Sequence, residues 1–429
     1  MNDMFDGLPF KPADILLPQG CDLSLWSVVA CDQYTSRPEY WQRVEERVGR
    51  APSALRLILP ESCLEGPSVE TDIMEINNTM SRYLREGRFQ KYQDSMIYVE
   101  RTLDDGKVRR GLIGMVDLDQ YDYEPWSKSA VRATEGTVLS RIPPRVAVRK
   151  NAPIELPHAM LLVDDPLRRI VGPLSAQTGE MELLYDFDLM EGGGRIKGWL
   201  LTGAQLEQTA RAIRDRKEEA DRDRDGLIFA VGDGNHSLAA AKACYERRKG
   251  LTDPVQWPDL PSRFALCELV DLHDEALEFE PIHRVVFGVE PERLLDAMGR
   301  HYPDALRGRQ IDPRVRTIAQ CIPFVYQEGE GEFALLHSAS LTEAGALHDF
   351  LDQYLERDPK ARVDYIHGAE EARALARERR DAVAFLLPAM DKGELFPSIV
   401  YHGALPRKSF SMGRAQDKRF YLEARKIRK

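Results

Sequence analysis

The chain has 429 residues, 43% apolar and 30% charged, a balance that fits a globular protein whose cores need neither disulfides nor metal. Its net charge of −11 argues against a general nucleic-acid or membrane-surface binder, although a local basic patch stays open. No apolar run approaches the roughly 20 residues that span a bilayer, and the N-terminus lacks a charged-then-apolar signal pattern, so the expected location is cytoplasmic.

In chain order, residues 26–30 form a short strand candidate that ends at Cys31-Asp32-Gln33-Tyr34-Thr35-Ser36, and Pro38 then opens a helix over residues 39–48. Asp32 is a candidate ion ligand or base there, and Tyr34 and Trp41 are candidate stacking partners. A helix cap at Thr35 or Ser36 with core aromatics accounts for the same residues structurally. A strand at 55–59 stops at Pro60. Ile73, Ile76, Met80, Tyr83 and Leu84 lie near one face of a helix over 69–86. Asp104-Asp105-Gly106-Lys107 between β-prone runs predicts a hairpin across 96–118. After a charged, turn-rich segment at 128–158 come a strand at 160–163, a second hairpin around Gly192-Gly193-Gly194 and a charged helix over 206–225.

The most informative stretch follows. Gly232-Asp233-Gly234-Asn235-His236-Ser237 joins the apolar run 227–231 to an alanine-rich helix start. Glycines permit a tight turn and close approach of a ligand. The first helical amides have no intrahelical partner and carry about half a positive charge, which suits a phosphate or carboxylate. Asp233, Asn235, His236 and Ser237 add groups that bind a metal, donate hydrogen bonds or move a proton. Ordinary cap and turn chemistry explains the glycines and Asn235 as well; the added His and Ser tip the reading toward a site.

Beyond this turn, 264–272 reads as a buried strand, followed by His273-Asp274-Glu275, whose side chains do not converge easily on one metal. His283 packs structurally. From about residue 290, helices at 292–302 and 341–355 alternate with strands at 322–326, 333–337, 363–367 and 382–387, a smaller α/β unit. A basic helix over 417–429 closes the chain. The expected organisation is a core domain over 1–288 and a C-terminal α/β domain over 289–429. The six cysteines are scattered without C-x-x-C spacing, which argues against a structural zinc site or disulfide framework.

Lys128, Arg132, Arg141, Arg145, Arg149 and Lys150 form a local positive concentration in an acidic chain. Arginine forks bind phosphate or carboxylate at two points. Glu135 and Thr137 among them are placed to orient a substrate or a metal; a surface loop paired with acidic patches is the competing account.

The runs Val29-Ala30-Cys31-Asp32-Gln33-Tyr34-Thr35-Ser36, Arg132-Ala133-Thr134-Glu135-Gly136-Thr137, Phe229-Ala230-Val231-Gly232-Asp233-Gly234-Asn235-His236-Ser237 and Glu278-Phe279-Glu280-Pro281-Ile282-His283-Arg284 resemble the domain-of-unknown-function 1015 family over nearly the whole chain. Many members carry Asp-Gly-His-His-Arg at 233–237, a motif similar to the phosphate-binding turn of the ParB/sulfiredoxin superfamily, which includes partition proteins, sulfiredoxin and a free serine kinase. The resemblance implies a mixed α/β fold with a ParB/sulfiredoxin-like mixed-sheet core, and a nucleotide phosphate on the turn, touched by His236. Ser237 departs from the expected arginine and removes a phosphate clamp unless an arginine from 132–149 substitutes.

The expected function is therefore a nucleotide-phosphate-binding enzyme, a kinase acting on the hydroxyl of a small serine-like metabolite. ATP or ADP and Mg²⁺ are the implied cofactors. Gly232, Gly234 and the amides of Asn235 and His236 hold phosphate in this reading, with Ser237 and Thr137 beside it. Arg132, Arg141 and Arg145 neutralise charge, Asp233 holds Mg²⁺, and Glu135 or Asp32 accepts the hydroxyl proton. The alternative is a nucleotide- or metabolite-sensing protein without turnover. A sulfiredoxin-like redox role needs a cysteine in the turn, and none is there.

Overall fold

The computed structural model describes the chain apart from residues 1, 30–33, 35, 36, 61, 62, 64, 65, 158, 341 and 429. Asp32 and the cap candidates Thr35 and Ser36, all singled out above, lie outside the described residues. The chain packs as two units. The first comprises Met1–Glu278, Ile399–Ala404 and Met412–Lys429; the second comprises Phe279–Ser398 and Leu405–Ser411. A single cut at 288 does not describe this division, because the last residues return to the first unit.

The first unit is built on a ten-stranded sheet. Its strands are β1 (Phe10–Lys11), β2 (Ile97–Thr102), β3 (Val108–Asp117), β4 (Tyr121–Asp122), β5 (Val131–Ala133), β6 (Met160–Val163), β7 (Glu182–Asp188), β8 (Arg195–Leu200), β9 (Phe229–Asp233) and β10 (Phe264–Asp271). They lie in the order β7-β8-β2-β3-β10-β6-β9-β5-β4, with β1 on β3. The sheet is mixed: β10 pairs with β6 in parallel and β9 with β5 in parallel, while β6 and β9 are antiparallel. Both hairpins expected from turn chemistry form, β2–β3 and β7–β8.

Side chains alternate between the two faces of the sheet and feed two cores. Tyr98, Leu112, Leu161, Phe229, Val231 and Leu269 face one, with Leu206 and Ile213 of the helix Gly203–Asp223. Ile97, Val99, Ile113 and Leu266 face the other, with Val44 of helix α1 (Pro38–Val48) and Met80 of helix α2 (Val69–Arg85). Both helices form within a residue of the spans expected from Pro38 and from the periodicity of 69–86. Residues 54–56 form a 3₁₀ turn rather than a strand, capped by the Ser53 hydroxyl.

Two expectations change more. The turn-rich stretch contains a helix, α3 (Ile142–Arg149), which begins at Ile142-Pro143-Pro144; proline is tolerated in a first turn because the amides there have no helical partner. The basic helix expected over 417–429 does not form. The segment is extended, with short strands Phe420–Tyr421 and Arg425–Lys426 and a 3₁₀ turn at Ala415–Asp417. Several of its charges are consumed inside the unit. Arg419 donates to Glu268 at 2.6 Å and to Glu423, and Arg425 donates to Glu155 at 2.7 Å. Arg101 on β2 donates to the carbonyls of Gly193, Gln416, Asp417 and Lys418, and Arg109 on β3 to that of Asp417. Burial disfavours ionised Glu268, yet Arg419 and Arg109 outweigh it and hold the carboxyl below its ordinary value.

The second unit is a smaller α/β body whose strands include β11 (Phe279–Phe287), β12 (Gln320–Tyr326), β13 (Gly329–Leu335), β14 (Arg362–His367) and β15 (Ala382–Phe385). Helices Pro291–His301 and Glu343–Arg357 cover one face and Ala369–Glu378 the other. His283 is structural there: its Nδ1 accepts the Leu387 amide at 3.1 Å.

Candidate functional site

β9 and β5 run in parallel with Val231 opposite Ala133, so the chain leaves both strands at the same end of the sheet. The loop after Ala133 therefore meets the turn 232–237 and the first residues of helix α4 (Asn235–Lys249). Thr134 Oγ1 donates to Val231 O at 2.7 Å, and Asn235 Nδ2 reaches Thr134 Oγ1 at 3.3 Å and Val231 O at 3.2 Å. At the far end of the loop the Val138 amide donates to His236 Nε2 at 3.2 Å. Glu135 and Thr137, both half-buried, are thus held over the helix start.

The glycines serve the protein's own packing. Gly234 caps the helix at φ +79°, a left-handed conformation that suits glycine, and a Cβ there would meet the Ala159 backbone at 2.9 Å. A Cβ on Gly232 would come within 2.5 Å of Met412 Sδ and 2.8 Å of Leu162. The space the sequence reading reserved for a ligand at these two positions is filled by neighbouring residues. No side chain of the cap residue covers the helix amides.

Asp233 is committed. Its Oδ1 accepts the Gly234 amide at 2.9 Å and its Oδ2 lies 3.3 Å from Lys418 Nζ. A magnesium ion on this carboxylate would sit beside an ammonium, and among the described residues no group of three or more His, Cys, Asp or Glu is placed to hold a metal. The described residues do not fit Mg²⁺ at Asp233, and no step is routed through it. His236 uses Nε2 as the acceptor of the Val138 amide, so that nitrogen carries no proton in this arrangement.

The arginines divide. Arg132 is not at the turn: it donates to the carbonyls of Ser129 and Asp225, near the starts of the two strands, and lies 3.8 Å from Asp225 Oδ2. Burial lowers its pKa. Arg141 is exposed. Arg145 shares with Ser237 the wall of a cavity of about 160 Å³, otherwise mostly apolar, lined among others by Leu57, Met80, Leu238 and Tyr421. Arg149 also borders it but pairs with Glu155 at 2.5 Å.

Two features escape the sequence reading. Lys418 is buried at the turn, placed by the grip of Arg101 and Arg109 on the backbone of 416–418. The apolar run Phe420-Tyr421-Leu422 inside a basic segment was the available signal that it is not a solvated helix. Second, Thr137 Oγ1 and Asn235 Oδ1 are buried without a hydrogen-bond partner among the described residues. A buried polar atom of this kind is completed by water or by a ligand.

Residues 9–366 match the family described as "Protein of unknown function (DUF1015)". No curated protein matches the sequence. Among solved structures, free serine kinase in complex with AMP is similar at 12% identity, covering 75% of this chain and 93% of that one, TM-score 0.41. SbnI with a C-terminal truncation from Staphylococcus aureus is similar at 10% identity, covering 72% and 85%, TM-score 0.38. A conserved hypothetical protein from Pyrococcus furiosus is similar at 11% identity, covering 74% and 92%, TM-score 0.38. Among the described residues no helix is long and apolar enough to cross a membrane.

Proposed function

The chain belongs to the DUF1015 family, and we propose that it binds a nucleoside phosphate at the start of α4. The observation that carries this reading is the pair of buried oxygens, Thr137 Oγ1 and Asn235 Oδ1, that have no hydrogen-bond partner among the described residues. The Thr137 hydroxyl donates to a phosphate oxygen. Asn235 Oδ1 accepts from a sugar hydroxyl or a base amino group, which inorganic phosphate lacks. Lys418 and Arg145 supply positive charge in place of the arginine absent at Ser237. The apolar cavity beside Ser237 takes the flat apolar part of the ligand.

In its catalytic form the reading is phosphoryl transfer to a small hydroxyl compound. Such catalysis rests on positioning and charge neutralisation, with Glu135 accepting the hydroxyl proton and Lys418 facing the transferred group. Binding without turnover is the second reading. It is favoured by the engagement of His236 Nε2 and of both Asp233 oxygens in contacts within the fold.

Calorimetry with ATP, ADP and AMP, with and without Mg²⁺, tests the site. We expect saturable binding that weakens about tenfold in Thr137→Ala and in Lys418→Met, as for one lost contact to a charged group. Folded protein that binds none of the three nucleotides refutes the reading. Phosphate release or phosphorylated product that disappears in Glu135→Gln with nucleotide binding intact separates the enzyme from the sensor.

A further inference from the structure

The opposite end of α4 carries a second cluster of charge. A cavity of about 200 Å³ is lined by Arg149, Lys150, Cys244, Arg247, Arg248 and Arg428, and an adjoining one of about 300 Å³ shares Arg248 and Arg428. Three separate segments supply these cations: the end of α3, the last turns of α4, and the tail beyond Arg425–Lys426. Arg149 is answered by Glu155 at 2.5 Å. Among the described residues Arg428 donates only to neutral acceptors, the Lys150 carbonyl at 2.5 Å and Asn151 Oδ1 at 3.3 Å. Lys150, Arg247 and Arg248 have no ion-pair partner among the described residues, and the nearby Glu246 is taken by Lys242 and Lys249.

Basic residues near helix C-termini ordinarily answer the negative end of the helix dipole. Two helices end here, and each end carries about half a negative charge, so about one of the four unanswered positive charges is accounted for. Roughly three remain, in a chain whose net charge is −11.

We infer that Lys150, Arg247, Arg248 and Arg428 form a binding site for a compact polyanion bearing two or more adjacent phosphates. Guanidinium forks favour phosphate oxygens at two points, and three converging arginines favour a chain of phosphates over a single one. The site is distinct from the turn at 232–237, although the cavities beside the two share Arg149. α4 has 15 residues, and at about 1.5 Å per residue its ends are roughly 20 Å apart, too far for one phosphate group to touch both.

The probe is tripolyphosphate, titrated calorimetrically against the full chain at two salt concentrations, with orthophosphate, ATP and a single-stranded RNA dodecamer as separate arms. One saturable tripolyphosphate site is expected, with orthophosphate at least about tenfold weaker. Arg247→Ala/Arg248→Ala should weaken it roughly a hundredfold, about tenfold for each charge-assisted contact, without moving the unliganded thermal midpoint. Thr137→Ala should leave it unchanged. ATP binding that survives Thr137→Ala and falls in the double variant places the nucleotide's phosphates here; the reverse pattern leaves tripolyphosphate alone as this site's ligand. Absence of saturable tripolyphosphate binding, equal binding by the double variant, or tighter RNA binding with a steeper salt dependence overturns the inference.

Discussion

Replacing Arg419 by methionine is the sharpest test of how the first unit is held together. The Arg419 side chain is about 2% exposed and serves two carboxylates, Glu268 at 2.6 Å and Glu423, besides reaching the Pro157 carbonyl at 3.3 Å. Methionine fills similar volume but strands both acids in the core. Removing one partner of a buried ion pair costs about 3–5 kcal/mol. Glu268 keeps Arg109 at 4.0 Å, and Glu423 keeps the Tyr185 hydroxyl at 2.7 Å. The two losses therefore do not add in full, and we expect about 4 kcal/mol. At 2–4 °C per kcal/mol for a domain of this order, that is a fall of roughly 8–16 °C in the unfolding midpoint. All five tryptophans, Trp26, Trp41, Trp126, Trp199 and Trp257, lie in the first unit, so their fluorescence in urea follows that unit alone. Adding Glu423→Gln removes one stranded charge and should recover at least about 1 kcal/mol. A single variant within about 1 kcal/mol of the parent, or a second substitution that adds its own cost independently, would refute the claim that Arg419 is the main neutraliser of both buried carboxylates.

The same network fixes an acid limit. Because the Glu268 carboxyl is held below its ordinary value of 4.5, its contribution is complete above that pH and is lost as pH falls through the lower, folded value; urea midpoints should drop below about pH 4.5 in the parent, and less in Arg419→Met. Asp271 has the opposite sign. Burial raises its pKa to about 6 from 3.8, so its ionisation opposes folding above about pH 6 and the penalty vanishes below about pH 4. Asp271→Asn keeps an acceptor for the His273 amide and should add about 2–3 kcal/mol at pH 7.5 and nothing at pH 4; an equal gain at both values contradicts this account. Gly232→Ala should cost about 1–3 kcal/mol through its clash with Met412 and Leu162, with part recovered by adding Met412→Ala, read again by fluorescence in urea.

Local chemistry made much of this fold readable. Asp-Gly and Gly-Gly-Gly turns between β-prone runs marked both hairpins, and the spacing of Ile76, Met80 and Tyr83 marked α2. The strand–turn–helix at 229–249 was legible because an apolar run, a glycine pair and an alanine-rich stretch each favour one state. The tail was not, because Arg419 and Arg425 find carboxylates more than 150 positions earlier, Glu268 and Glu155, and nothing local distinguishes a buried Arg419 from a solvated one. The proximity of Thr137 to α4 depended on the parallel pairing of β5 with β9, a contact across about a hundred residues. The glycines misled for a related reason: sequence reveals that Gly232 lacks a side chain but not that Met412 fills the gap.

The return of residues 412–428 to the first unit has a consequence for synthesis. Arg101, Arg109 and Glu268 leave the ribosome well before Asp417, Lys418 and Arg419, and until those arrive the centre of the large sheet holds unmatched charge. The first body to be translated is thus the last to be completed, and the intervening residues of the second have the opportunity to settle while it waits. A nascent chain stalled before residue 412 should remain open to proteolysis at the ten-stranded sheet, and become resistant only when the final stretch is released.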